Sequence, residues 1–359
     1  MIPSELKVVC DKITGAVRPE DLFGADPLLI KVKFTSILKT IFPDLHRNDE
    51  DAFKLANEST IIVNILYDKA KSRIGNGTYG YVNNVQSLDI KIQTSKTSYD
   101  LVKKIHEGGT YDIYTAKNNR GEDFIVKITC KEEYDYRVRR EARVLMELKL
   151  PDDETQRPFL PTFIECFKTS DQRNGIIFKK RNTYDMFEIN DMMPQGVPTE
   201  HLVWILKRIL KTCQYFHHEG VLHGAINPGH ILIEPDQHTI QLVDWTHSVT
   251  KPSETGEKYR SFSLIFNPPE VKDNEKFSRS SDLYSVGKVM VFIAGGNMET
   301  LKMPEHVHTK LKVFISWFIS NNIKQRPGSA GEALKYLDMV VNNIFGKDRI
   351  FVPFILPIQ

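Results

Sequence analysis

Two stretches of this chain bring together residue types that could do chemistry. The string IGNGTYGYV sets Gly75, Gly77 and Gly80 in a G-x-G-x-x-G spacing, and glycine in such a turn lets backbone N–H groups approach a phosphate closely. Three glycines also satisfy any tight hairpin, so the spacing alone does not separate a phosphate cradle from a turn. Farther on, VLHGAINPGHILI carries His223, Asn227 and His230, and the strand IQLVDW delivers Asp244, 19 residues after Ala225. An imidazole beside a carboxylate can hold a softer metal, although two residues do not make a metal site. The alternative for His230 is a satisfied pocket histidine. Cys10, Cys130, Cys166 and Cys213 are scattered with no C-x-x-C pair, which reads as buried thiols in a reducing compartment and not as a zinc site or a disulfide framework.

Such side chains act only if regular elements hold them in place. From Tyr99, the sequence YDLVKKIHEGGTYDIYTAKNNRGEDFIVKI reads as strand, glycine turn, strand, Asn-Asn-Arg-Gly turn and strand, and RREARVLMEL then enters a helix. Residues 201–218 form an amphipathic helix that ends at Glu219-Gly220. Residues 28–73 read as a helical hairpin. Its first helix has apolar Ile30, Phe34, Ile37, Leu38 and Ile41, and after a polar turn its second has Ala52, Leu55, Ala56, Ser59 and Val63. Residues 74–96, with β-branched and aromatic side chains punctuated by glycine, predict a short linking hairpin.

Strand, loop, strand, lysine-bearing strand and glutamate-bearing helix, in that order, resemble the opening of the protein-kinase superfamily, and the resemblance runs from Tyr99 to about Phe345. It implies that Lys127 neutralises the α- and β-phosphates of ATP and is held by Glu141, 14 residues on. With Lys127 in register, IGNGTYGYV lies too far upstream to cover its nucleotide. The implied lid is His106–Tyr111, where Gly108 and Gly109 remain while His106 and Tyr111 fill the first and third glycine positions. A Cβ at both opposes tight phosphate contact.

In the segment that the family writes HRDxKPxN, His223 matches the structural histidine. Gly224 replaces the arginine, Ala225 the catalytic aspartate, Asn227 the lysine and His230 the asparagine. Asp244 matches the magnesium-binding aspartate, and Asn267-Pro268-Pro269-Glu270 resembles the APE motif. Asp282 falls where the family anchors its catalytic loop, and Arg326 pairs with Glu270 as a buried ion pair. The implied fold is α+β and two-lobed, with a small lobe over 97–182, a large lobe over 183–346 and a tail over 347–359.

The resemblance also implies what has been lost. Alanine cannot orient a substrate hydroxyl, and losing such a base costs about 10²–10⁴ in rate. Asn227 cannot neutralise a γ-phosphate, and an imidazole at 230 is a poor ligand for magnesium. The chain therefore reads as a pseudokinase that binds or scaffolds a protein partner, or senses nucleotide, with ATP and one magnesium retained weakly through Lys127, Glu141 and Asp244. The alternative is an atypical ATP-dependent protein kinase or nucleotide transferase. Lys127→Met is expected to abolish a ligand-dependent melting shift and to leave the ligand-free melting temperature nearly unchanged.

The hairpin at 28–73, with Phe42-Pro43-Asp44 at its turn and AFKLANE on its second helix, resembles the J domain of DnaJ-type co-chaperones. That implies a helical J-like module over residues 1–73 and, as a second alternative, a partner of the DnaK type. The family turn reads His-Pro-Asp, and its histidine is needed for ATPase stimulation. Phe42 stands there instead, and His46 reads as a solvated loop residue. The alternative for the whole segment is an ordinary helical extension.

Forty-eight basic against 46 acidic residues leave a net charge of +2, too balanced to point to nucleic acid or a membrane surface. The start, MIPSELKVVCDKITGAV, lacks the succession of a signal peptide, and the apolar runs at 289–294, 313–319 and 350–358 fall short of a span and are expected in a core. A cytoplasmic location follows as an expectation. The tail FGKDRIFVPFILPIQ is left open between packing on the large lobe and forming a contact surface.

Overall fold

The computed structural model describes residues 4–16, 18–24, 29–76, 79, 88, 90–107, 110–148, 159–255, 265–271, 277–346 and 351–357. The chain opens with helices α1 (Ser4–Thr14), α2 (Pro19–Phe23), α3 (Ile30–Ile41) and α4 (Glu50–Asn76). Pro43 cannot continue α3 with an amide hydrogen bond, and a short 3₁₀ turn over Pro43–His46 redirects the chain. Asp49 then caps α4 by accepting the Ala52 N–H at 3.0 Å. The helices share an apolar core of Leu6, Ile13, Phe23, Ile41, Ala56 and Val63, and Phe34 stacks on Tyr67 at 3.8 Å between centroids. His46 is less solvated than expected, because its Nε2 lies 3.0 Å from the Thr40 carbonyl near the end of α3.

Of the linking hairpin expected over 74–96, residues 77, 78, 80–87 and 89 lie outside the described residues. Helix α4 runs on through Gly75 to Asn76, since one glycine lowers helix stability by only about 1 kcal/mol and does not stop a helix already packed. Strand β1 (Ile90–Gln93) pairs antiparallel with β2 (Ser98–Glu107). The rest of the small lobe comprises β3 (Tyr111–Asn118), β4 (Asp123–Thr129), α5 (Asp135–Leu148), β5 (Phe163–Lys168) and β6 (Asn174–Lys179), in a six-stranded antiparallel sheet of order β1-β2-β3-β4-β6-β5. The β3–β4 turn is built as its Asn-Asn-Arg-Gly sequence predicts. Asn118 Oδ1 accepts from the N–H groups of Arg120 and Glu122, and Gly121 takes a φ of +76°.

The large lobe is mostly helical. It contains β7 (Tyr184–Asp185), α6 (Met186–Met192), α7 (Thr199–His218), β8 (Val221–Leu222), β9 (Ile231–Glu234), β10 (Thr239–Leu242), β11 (Val249–Thr250), α8 (Pro252–Thr255), α9 (Arg279–Ile293), α10 (Thr309–Phe318) and α11 (Ala330–Phe345). Strands β10, β9 and β7 form one sheet and β11 pairs with β8, which supports the loops between α7 and β11. Helix α9 is buried at every position from Ser281 to Ile293, with Asp282 and Lys288 among them, and the run at 289–294 lies in the core as expected. The run at 313–319 is split, with Phe314, Ile315 and Phe318 buried and Val313 exposed, because α10 turns only one face inward. In the tail, Phe354 is 5% exposed whereas Phe351 and Ile355 are 67% and 78% exposed. The Phe354 N–H donates to His238 Nε2 at 3.1 Å.

Helix α4 packs against both β2 and α6, so the N-terminal helices touch the small lobe and the large lobe at once. Lys69 on α4 is buried and reaches Asp191 of α6 at 3.1 Å. No helix among the described residues is long and apolar enough to cross a membrane. Of the cysteines, Cys10 and Cys213 are buried as expected, while Cys130 is partly exposed and Cys166 exposed. Cys166 sits on the edge strand β5, where alternate residues point out of the sheet.

Candidate functional site

Between the two lobes lies a cavity of about 1000 Å³. Lys127 enters it from β4, Glu141 from α5 and Asp244 from the segment after β10. The Lys127 ammonium sits 2.8 Å from Glu141 Oε2 and 3.2 Å from Asp244 Oδ1, and all three side chains are buried. Glu141 Oε1 also accepts the Trp245 N–H at 3.1 Å, which ties α5 to the segment carrying Asp244. Burial opposes the charge on Lys127, but the carboxylates of Asp244 and Glu141 outweigh it and hold its pKa above the ordinary value. Burial likewise raises Glu141. Burial works against ionised Asp244 too, yet Lys127 and the nearby His230 and His247 hold its pKa well below the usual range.

Asp244 adopts a left-handed backbone with φ of +62°, uncommon for a non-glycine residue. Its carboxylate stabilises the turn by accepting from Thr246 Oγ1 at 2.5 Å. Its other oxygen, Oδ2, accepts the Tyr111 hydroxyl and lies 3.3 Å from His230 Nε2. The Tyr111 ring lies under Lys127, with Nζ 3.7 Å from its centroid. By sequence Tyr111 fills a glycine position, where its Cβ is expected to obstruct phosphate. The whole phenol in fact reaches into the cleft. Gly108 and Gly109 lie outside the described residues, as do Gly77 and Gly80 of the upstream glycine string.

The loop from His223 to His230 is held from beneath by Asp282. That carboxylate accepts the N–H groups of His223 and Gly224 at 2.9 and 3.0 Å and contacts His217 Nε2 at 3.0 Å. His223 is fully buried, with Nε2 3.1 Å from the Val243 carbonyl, and burial pushes its pKa down to about 4. Ala225 presents no side-chain polar atom. Its carbonyl faces His230 Nδ1 at 2.7 Å and accepts from Asn227 Nδ2 at 3.2 Å. Glu270 and Arg326 form the expected buried pair, bidentate at 2.7 and 2.8 Å. The Arg326 donor and the neighbouring Ser281 hydroxyl hold Glu270 below its usual pKa against the effect of burial.

These residues do not suit magnesium. Asp244 Oδ1 faces Lys127 and Thr246, its Oδ2 faces Tyr111 and His230, and magnesium prefers an octahedron of oxygens. Among the described residues, no group of three or more His, Cys, Asp or Glu side chains is placed to hold a metal ion.

The protein kinase domain matches residues 99–311, more than half of the chain. The chain belongs to the protein kinase domain family. It is 26% identical to a probable myosin light chain kinase of Dictyostelium discoideum over 203 residues, which is 55% of this chain and 40% of that protein. The kinase match begins at Tyr99, after the N-terminal helices, and stops before α11 and Arg326. Even so, Arg326 closes on Glu270 within the matched segment.

Two features of the kinase cleft are missing from the sequence reading. Besides Tyr111, the N-terminal helices contribute Phe34, Asn64, Tyr67, Asp68 and Lys71 to the cavity wall. The helical period of α4 shows that Asn64, Tyr67, Asp68 and Lys71 form a face, but not that a distant cleft covers it. The cluster also changes the expectation for Lys127→Met. Removing a lysine 3% exposed that bridges two buried carboxylates is expected to lower stability.

Proposed function

We propose that this chain is a kinase-fold pseudoenzyme: a binding and scaffolding protein whose interlobe cleft retains a ligand pocket but does not transfer phosphate. The observation that carries this reading is the backbone-only surface at Ala225, where the loop offers a carbonyl already engaged by His230 and Asn227. Phosphoryl transfer needs a group that orients the attacking hydroxyl. The two carboxylates at the centre of the cleft, Glu141 and Asp244, are bound to Lys127 instead.

The wall contributed by α3 and α4 supports a sensing role, since a ligand in the cavity would touch the N-terminal helices and both lobes together. A protein partner in the cytoplasm is part of this proposal. The Phe42-Pro43-Asp44 turn is one surface to test, because Phe42 is 50% exposed. If it is a J-like turn one substitution short of competence, Phe42→His should stimulate the ATPase of a DnaK-type chaperone, and absence of stimulation removes that partner.

A second reading, an atypical ATP-dependent phosphotransferase, is favoured by the preserved contact of Lys127 with Glu141. Incubation with γ-labelled ATP and magnesium or manganese, with generic protein and nucleotide acceptors, separates the two. The pseudoenzyme reading expects no label transfer above that of Asp244→Asn. Transfer that disappears in Asp244→Asn overturns it.

A further inference from the structure

The phosphate end of the cleft already has an occupant. A nucleoside triphosphate with its metal needs the Lys127 ammonium for phosphate oxygens and the Asp244 carboxylate for the cation. Tyr111 engages both. Its hydroxyl donates to Asp244 Oδ2, and its ring face lies 3.7 Å from Lys127 Nζ, a close cation–π contact. Burial, and then the Asp244 charge, raise the phenol above its ordinary pKa, so it remains a hydrogen-bond donor throughout the physiological range. His230 approaches the same Asp244 oxygen from the other lobe.

The rest of the cavity has a different character. Ile105, Ile113 and Ile125 line it from the small lobe, and Leu232 and Val243 from the large lobe. Apolar side chains from two opposed lobes suit a flat, uncharged ring system. Of the cations that line the cavity away from Lys127, Lys71, Lys179 and Arg181 are each paired with a carboxylate, that of Asp68, Glu122 and Glu234 respectively, and Lys103 and Lys180 complete the rim.

We propose that Tyr111 closes the phosphate end of the cleft, so that the pocket selects an uncharged planar heterocycle of nucleoside size, bound without triphosphate and without metal. This inference rests on the proposal that the cleft retains a ligand pocket, and it names the class of ligand. A triphosphate must first displace Tyr111, so its apparent affinity falls by the fraction of molecules in which the tyrosine has swung away.

Calorimetric titration of the full chain with adenosine, ATP and ATP plus magnesium tests this in wild type, Tyr111→Gly and Tyr111→Phe. Wild type should bind adenosine more tightly than ATP, with no effect of magnesium. Tyr111→Gly should raise the affinity for ATP relative to that for adenosine by about tenfold or more. Tyr111→Phe keeps the ring over Lys127 and removes only the bond to Asp244, so it provides a second variant that preserves packing and should show a smaller gain of the same sign. Magnesium-dependent ATP binding by wild type, at least as tight as that of adenosine, would overturn the closure by Tyr111 and leave the pocket standing. Failure of all three proteins to bind any of these ligands would overturn the pocket itself together with this inference.

Discussion

Replacing Lys127 by methionine is the perturbation that probes the buried charge cluster most directly. Methionine is close to isosteric with the lysine stem, so packing along β4 is largely kept. What is lost is the ammonium 2.8 Å from Glu141, 3.2 Å from Asp244 and 3.7 Å above the Tyr111 ring. Two carboxylates would then share a buried site with no cation between them. Removing one partner of a buried ion pair costs about 3–5 kcal/mol, and for a lobe pair of this size each kcal/mol lowers the melting temperature by about 2–4 °C, so a fall of roughly 6–20 °C is expected. Thermal melts without ligand at pH 8 and pH 5.5 provide the assay. The deficit should shrink at the lower pH, where Glu141, its pKa raised by burial, takes up a proton more readily once the lysine is gone. Adding Asp244→Asn should recover part of the loss by removing one of the two facing charges. A Lys127→Met protein that melts within a degree or two of wild type would refute the argument, because the charges could not then be as tightly enclosed as these distances require.

Other expectations follow from the same kind of reasoning. Arg326→Met leaves Glu270 ionised and buried and should cost about 3–5 kcal/mol, with much of it regained in Arg326→Met/Glu270→Met; urea unfolding of the two variants checks this. Neutral buried His223, with its pKa near 4 against an ordinary value of 6.5, binds fewer protons folded than unfolded. Its contribution is therefore fully present above about pH 6.5 and lost as pH falls towards 4, by about 3 kcal/mol in all. His106 and His247, each pushed to about 4 by burial, act in the same direction, so stability should decline between pH 7 and 5, and His223→Gln should flatten part of that slope. Gly196 has φ of +87°, and a Cβ there would stand 2.1 Å from the Ala294 carbonyl oxygen, whereas Gly121 has φ of +76° and open space around it. Gly121→Ala should cost only the backbone strain of about 1–2 kcal/mol, and Gly196→Ala distinctly more; equal losses in denaturant melts would contradict the close approach of the α6–α7 loop to the end of α9.

The sequence by itself determined the elements and their register. Hydrophobic period and turn chemistry set the strands on either side of the Asn118–Glu122 turn and the long helix α7. The spacing of Lys127, Glu141, Asp244, Asp282, Glu270 and Arg326, laid over the kinase pattern, anticipated contacts that now have distances. These were legible because each depends on local periodicity or on a fixed separation along the chain. The tertiary structure decided what depends on distant segments meeting. It filled the phosphate end of the cleft with the Tyr111 side chain, set α4 against β2 and α6 so that the N-terminal helices wall the cavity, and carried α4 through Gly75 where a hairpin was expected. It also buried Lys127 between two carboxylates at the wall of the cavity. A rotamer, a face of a helix and the local dielectric are set by neighbours far away in sequence, and a linear pattern of residue types carries no record of which neighbours those are.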